Sequence, residues 1–174
     1  MGIFSRKGSK GFTLVEIMIV VAIIALIAAI AIPNLLRARH NANETAAIGN
    51  MKTLVDSLES FRANQAPTTY PGANVVSGVV AVTNLAGLAN TVPPYIDAVL
   101  ASGQRQGYTF TYTAGAVRNV VIQGQNFSVY DTYTLAADPI TPGTTGTRGF
   151  FVDQSGVIRV APVAPANANS VPLE

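Results

Sequence analysis

The sequence has no cysteine, no tryptophan and one histidine, and only 11% of its 174 residues are charged. Without cysteine there is no disulfide, no thiolate metal site and no thiol nucleophile. A single His40 excludes a multi-histidine metal centre, and no motif of His and carboxylates with metal-ligand spacing is present. A Ser–His–Asp arrangement would have to use His40, which stands just past a long apolar run and is remote in sequence from residues 64–161. Gly143, Gly146 and Gly149 recur every three residues, but GTTGTRG lacks the lysine and the following helix of a phosphate loop. Basic charge is scarce too. The formal net charge is +2, yet Arg6, Lys7 and Lys10 supply three positive charges within residues 1–11. The remainder has 8 basic and 9 acidic residues, a net of −1, which offers no field for nucleic acid.

What the chain has in plenty is one apolar stretch, FTLVEIMIVVAIIALIAAIAI, over residues 12–32. It contains no Gly or Pro, and Glu16 is its one ionisable side chain. As a helix it spans about 31 Å, the thickness of a bilayer's hydrocarbon core. Apolar residues cover every face, so it must enter a membrane or pack among other apolar helices. Pro33 follows it, and a kink or local break near Val20–Pro33 is expected because proline removes a helical N–H and crowds the preceding turn.

Glu16 is the anomaly. A carboxylate near the middle of a membrane span costs about 2.5–3.5 kcal/mol, but Glu16 lies only about 6 Å along the axis from Phe12. If the chain were cut after Gly11, Phe12 would present a free α-ammonium close to the depth of that carboxylate, in the same chain or a neighbour. Thr13 and Glu16 also have capping-box spacing, which alone accounts for a Glu at a helix start. The two roles are compatible. The basic leader suits an uncleaved signal anchor, whereas the apolar run is too long for an ordinary secretory signal and no small-x-small site follows Pro33.

Lys10-Gly11-Phe12-Thr13-Leu14-Val15-Glu16, the apolar run and Ala31-Ile32-Pro33 closely resemble the class III signal of type IV pilins and type II secretion pseudopilins. The resemblance covers about residues 8–40. It implies that a prepilin peptidase cuts between Gly11 and Phe12 and methylates Phe12, and that Glu16 guides assembly by pairing with a neighbour's N-terminus. One departure is Ala25, where many members have Gly in a segment that loses helicity inside the filament. Alanine favours helix by about 1 kcal/mol over glycine. Many relatives of this kind close their C-terminal region with a disulfide; this chain must do so by packing and hydrogen bonding.

From Asn34 to about Ala63 the helix continues, with Ala47, Ile48, Met51, Leu54, Val55, Leu58 and Phe61 on one face. Lys52, Asp56, Glu59 and Arg62 lie mainly opposite, and Lys52–Asp56 has the spacing of a weak surface pair. Gly49 marks a bend or a close approach. NQAPTTYPG is turn-rich, VVSGVVAV reads as a strand with a bulge at Gly78, and Tyr95–Ala101 as a short helix ended by Ser102-Gly103. YTFTYT at 108–113 and Ser128–Ala136 alternate as strands. Gly149–Val152 and Val157–Val160 flank a hairpin loop at 153–156. APVAPANANSVPLE has little to bury and reads as a mobile tail.

The expected fold is therefore α+β: a long N-terminal helix, half membrane-spanning and half amphipathic, packed on a small antiparallel sheet, as in the pilin fold. The divisions are leader 1–11, filament-core helix 12–33, amphipathic helix 34–63, head 64–161 and tail 162–174. The resemblance implies a structural subunit and no cofactor, metal or enzyme activity. Its implied partners are other pilin subunits, the prepilin peptidase, an inner-membrane assembly platform and, before assembly, membrane lipid; nucleic acid is left open. It implies a single-pass inner-membrane precursor that becomes an extracellular pilus serving motility, adhesion or DNA uptake. Two other readings stand: a pseudopilin in a short periplasmic fibre, and an anchored binding domain that never polymerises. Asp131, Asp138 and Asp153 are candidate calcium ligands whose spacing matches no compact loop. Asn43-Glu44-Thr45 and Asn126-Phe127-Ser128 fit the glycosylation sequon.

Overall fold

The structure, a computed structural model, describes residues 11–73, 76–77 and 80–173. The leader cations Arg6, Lys7 and Lys10 and the expected bulge at Gly78 lie outside the described residues. The chain divides after Ala38 into two units.

Helix α1 runs over Leu14–Ala63, fifty residues. Pro33 lies inside it without interrupting it, so the local break expected before Pro33 is absent. A proline removes one helical hydrogen bond, and the turns on either side hold the helix together. In the unit ending at Ala38, the apolar side chains of α1 are exposed: Ile19, Val21, Ile24 and Leu26 are all more than half accessible.

In the second unit the stripe Ala47, Met51, Leu54, Leu58 and Phe61 is completely buried. Spacings of three and four residues bring these side chains to one face. Burying each of the larger ones contributes about 1.5–3 kcal/mol.

A six-stranded antiparallel sheet shares that core. Its strands are β3 (Gln104–Arg105), β4 (Tyr108–Ala114), β7 (Tyr133–Pro139), β8 (Gly149–Asp153), β9 (Arg159–Ala161) and β10 (Val171–Pro172), in the order β10-β9-β8-β7-β4-β3. In β4, Tyr108 and Phe110 point inward while Thr111 and Thr113 are exposed. Tyr133, Leu135 and Ala137 of β7 and Phe150 and Val152 of β8 complete the layer. In chain order the short helices α2 (Leu85–Ala89) and α3 (Ala98–Ala101) come between α1 and β3. Asp97 caps α3 through a 2.8 Å bond from Leu100 N–H, so the helix starts later than Tyr95.

Three expectations are corrected. VVSGVVAV is not one strand: β1 (Val76–Ser77) and β2 (Val80–Ala81) pair with each other. Ser128–Ala136 is also two strands. β6 (Gln125–Tyr130) pairs with β5 (Val117–Ile122) in a separate hairpin, and β7 joins the main sheet. The break falls at Asp131-Thr132, where Gly115 N–H bonds the Thr132 carbonyl. Finally, the C-terminal segment is tied down: β10 pairs with β9, Leu173 N–H reaches the Ile158 carbonyl at 2.8 Å, and Ala166 is buried. These backbone bonds hold a segment whose side chains have little to bury.

Candidate functional site

The start of α1 is built by two residues. Thr13 is the last residue before the helix, and its hydroxyl oxygen accepts from Glu16 N–H at 3.2 Å. Glu16 reaches back, its Oε2 accepting from Thr13 N–H at 2.7 Å and from the Thr13 hydroxyl at 2.8 Å. This is a complete reciprocal capping box, which satisfies amides that the first turn leaves free. Glu16 Oε1 takes no hydrogen bond among the described residues. Phe12 is 85% exposed beside it. The following helix is long and apolar enough to cross a membrane, and no residue of its most apolar window is buried. The site thus consists of an uncovered apolar rod of side chains with one carboxylate oxygen free at its start.

Residues 6–32 match the family model described as a prokaryotic N-terminal methylation motif. The start of the chain is similar to that of type IV pilins and type II secretion pseudopilins, and its matches span about half or less of the first relatives' lengths. The chain is 41% identical over 71 residues to the type IV wide pilus major component PilA4 of Thermus thermophilus, a match spanning 41% of this chain and 54% of that one. It is 47% identical over 53 residues to the type IV major pilin protein PilA of Myxococcus xanthus, spanning 30% of this chain and 24% of that one. A longer alignment, 27% identical over 141 residues, relates 80% of it to 86% of the type II secretion system core protein G of Escherichia coli. No solved structure matches.

The other singled-out residues disperse. Asp131 is held by Arg118 through two bonds of 2.6 and 3.0 Å. Asp153 Oδ1 accepts from Ser155 N–H at 2.9 Å. Asp138 Oδ1 is buried without a hydrogen-bond partner. Burial pushes the Asp138 pKa up. Among the described residues no three His, Cys, Asp or Glu side chains gather as a metal would need. Of the head arginines, Arg105, Arg118 and Arg148 lie against Asp97, Asp131 and Glu44, so their charge is locally met. His40 is half-buried, and its Nε2 is buried without a hydrogen-bond partner. The Asn43 amide donates to the Thr145 carbonyl at 2.8 Å, whereas Asn126 is exposed on β6.

Glu44 is the residue that sequence reasoning missed. The sequence marks it only as the middle of the Asn43-Glu44-Thr45 sequon, yet it is 5% exposed and bonded to Thr147 and Arg148. The signal was present: Glu44 stands three residues before Ala47, on the buried stripe, so a carboxylate there required a partner.

Proposed function

We propose that this chain is a type IV pilin precursor, a structural subunit rather than an enzyme, that polymerises through α1 into an extracellular pilus. One observation carries the reading: the apolar run of α1 from Leu14 to Leu36 is left uncovered, and its start presents Phe12 and a half-occupied Glu16 carboxylate. Lipid covers those side chains before assembly, and the same helix of neighbouring subunits covers them afterwards. The hydrophobic cost of exposing them to water, about 25 cal/mol per Å² of apolar surface, forbids a free intermediate.

The first step is removal of residues 1–11 by a prepilin peptidase and methylation of Phe12. A cut between Gly11 and Phe12 spares the Thr13 N–H, so the capping box survives processing. Glu16 then keeps one oxygen for its own helix and offers the other to a neighbour's α-ammonium. An unpaired carboxylate between packed helices is costly, so that pairing selects register. Pro33 leaves the carbonyl four residues earlier without its helical donor, and we assign the bend of the packed helix to that point.

The second reading, a pseudopilin of a type II secretion system, is favoured by the alignment with protein G across 80% of the chain. Electron microscopy of cells separates them: long surface filaments support the pilus, and their absence from secretion-competent cells supports the periplasmic fibre. The first experiment is mass spectrometry of the chain's N-terminus from cells. A chain beginning at N-methylated Phe12 is expected. A chain still beginning at Met1 or Gly2, in cells with an active prepilin peptidase, overturns the assembly reading in favour of an anchored domain.

A further inference from the structure

Most charges of the unit that begins at Arg39 are satisfied internally. Arg62, Arg105, Arg118 and Arg148 lie within ion-pair reach of Glu59, Asp97, Asp131 and Glu44. Three α1 side chains are left over. Arg39, Lys52 and Asp56 are all exposed, and none makes an ion pair or side-chain hydrogen bond among the described residues. Lys52 and Asp56, one turn apart, do not form the pair their spacing suggested.

Asp56 also borders a groove of about 500 Å³ between α1 and the segment following β8, walled by Val55, Val157, Ile158 and Leu173, with Lys52 on its rim. Apolar walls with a carboxylate at the edge suit an arginine: its methylenes lie along the walls and its guanidinium meets the carboxylate. Arg39 cannot reach this groove in its own molecule. It precedes Asp56 by seventeen residues on α1, about 26 Å along the axis.

We propose that Arg39 of one copy seats in the Asp56 groove of a second copy of this chain, fixing the axial offset of two parallel α1 helices at about 26 Å. The proposal rests on the polymer reading above. Complementary charge at an interface chiefly selects register and excludes wrong alignments, which is what a helical polymer of identical apolar rods requires. The apolar stretch alone specifies register poorly, because one aliphatic side chain fits a neighbouring helix much as another does. Lys52 makes no ion pair with Asp56 among the described residues, and an ammonium would not give the two-pronged contact that a guanidinium makes.

The test uses the full chain in piliated cells, with sheared filament protein as the readout. Arg39→Glu and Asp56→Arg are each expected to lower filament yield at least tenfold, and the double variant to recover at least half of it. The absence of native cysteine gives a second measurement. Arg39→Cys with Asp56→Cys, treated with a short bis-maleimide, is expected to give a ladder of dimers, trimers and tetramers, whereas either single variant stops at dimers. Single reversals that assemble normally, or a double reversal no better than its singles, overturn the pairing. So does a filament of the double-cysteine chain that yields no ladder, or a ladder from Arg37→Cys in place of Arg39→Cys. Absence of any filament from the unaltered chain overturns the polymer reading and the pairing together.

Discussion

Glu44 on α1 and Arg148 just before β8 are 104 residues apart, yet Arg148 Nε donates to Glu44 Oε2 at 2.6 Å. The other oxygen accepts from Thr147 N–H at 3.1 Å and Arg148 N–H at 3.2 Å. Asn43 adds its bond to the Thr145 carbonyl, and the Tyr108 hydroxyl donates to the Arg148 carbonyl at 2.9 Å. Two consecutive helix residues thereby strap the segment between β7 and β8 onto the helix, a task that a disulfide would otherwise perform.

Glu44→Ala removes the acceptor of three donors at once. Thr147 and Arg148 amides left without partners, and an Arg148 side chain that retreats to water, give a loss of about 2–3 kcal/mol. For a chain of this size that lowers Tm by roughly 4–12 °C. Glu44→Gln keeps an oxygen for the amides and is expected to lose less. Near-UV circular dichroism of the full chain in detergent measures both.

Two carboxylates respond to acid with opposite sign. Burial works to raise the Glu44 pKa, but the bonds from Thr147 N–H, the Arg148 side chain and Arg148 N–H outweigh it and leave it lowered from its usual 4.5. Its stabilising effect is therefore present above pH 4.5 and is lost as pH falls through the folded-state value. Asp138 is raised by burial from its usual 3.8, so its charged form weighs against the fold at neutral pH and the effect fades on acidification. Asp138→Asn is expected to raise Tm at pH 7 and to leave it unchanged near pH 3. Glu44→Gln should flatten the fall in Tm below pH 4.5. Thermal melts across pH 3–7 check both.

Two glycines should respond oppositely to alanine. A Cβ on Gly49 meets nothing within 4 Å, so Gly49→Ala strengthens α1 by about 0.5–1 kcal/mol. A Cβ on Gly146 collides with the Tyr108 hydroxyl oxygen, which is occupied with the Arg148 carbonyl, so Gly146→Ala costs about 1–3 kcal/mol. Urea unfolding of the two variants should move the midpoint in opposite directions.

Glu16→Gln separates capping from assembly. Glutamine preserves a capping box, so helix content and membrane retention are expected to match the unaltered chain. The amide cannot pair with a neighbour's α-ammonium as a carboxylate does, so sheared filament should fall as far as in Glu16→Ala. Normal piliation in Glu16→Gln would reduce Glu16 to a helix cap.

The apolar run at 12–32, the Thr13–Glu16 box and the stripe from Ala47 to Phe61 were legible because each is a local pattern. Hydropathy, a three-residue spacing and a helical period are properties of adjacent residues, and the helix realises them without reference to the rest of the chain. Strand β4 was legible for the same reason, its aromatics and threonines alternating in and out. The hairpin of β5 and β6 was missed because Gln123-Gly124, with positive φ at both residues, turns the chain without the Asn-Gly signal that usually marks such a turn. That Ser128–Ala136 splits between two sheets, and that the C-terminal residues pair with β9, depended on which backbone edge lay within reach. The Glu44–Arg148 contact depended on closing a loop of more than a hundred residues. The sequence by itself determined the helix, its apolar surface and its capped start. Only the tertiary structure decided the partners of its buried charges and which charges were left over, because hydrogen bonds and ion pairs act over a few ångströms and the chain must fold before those distances exist.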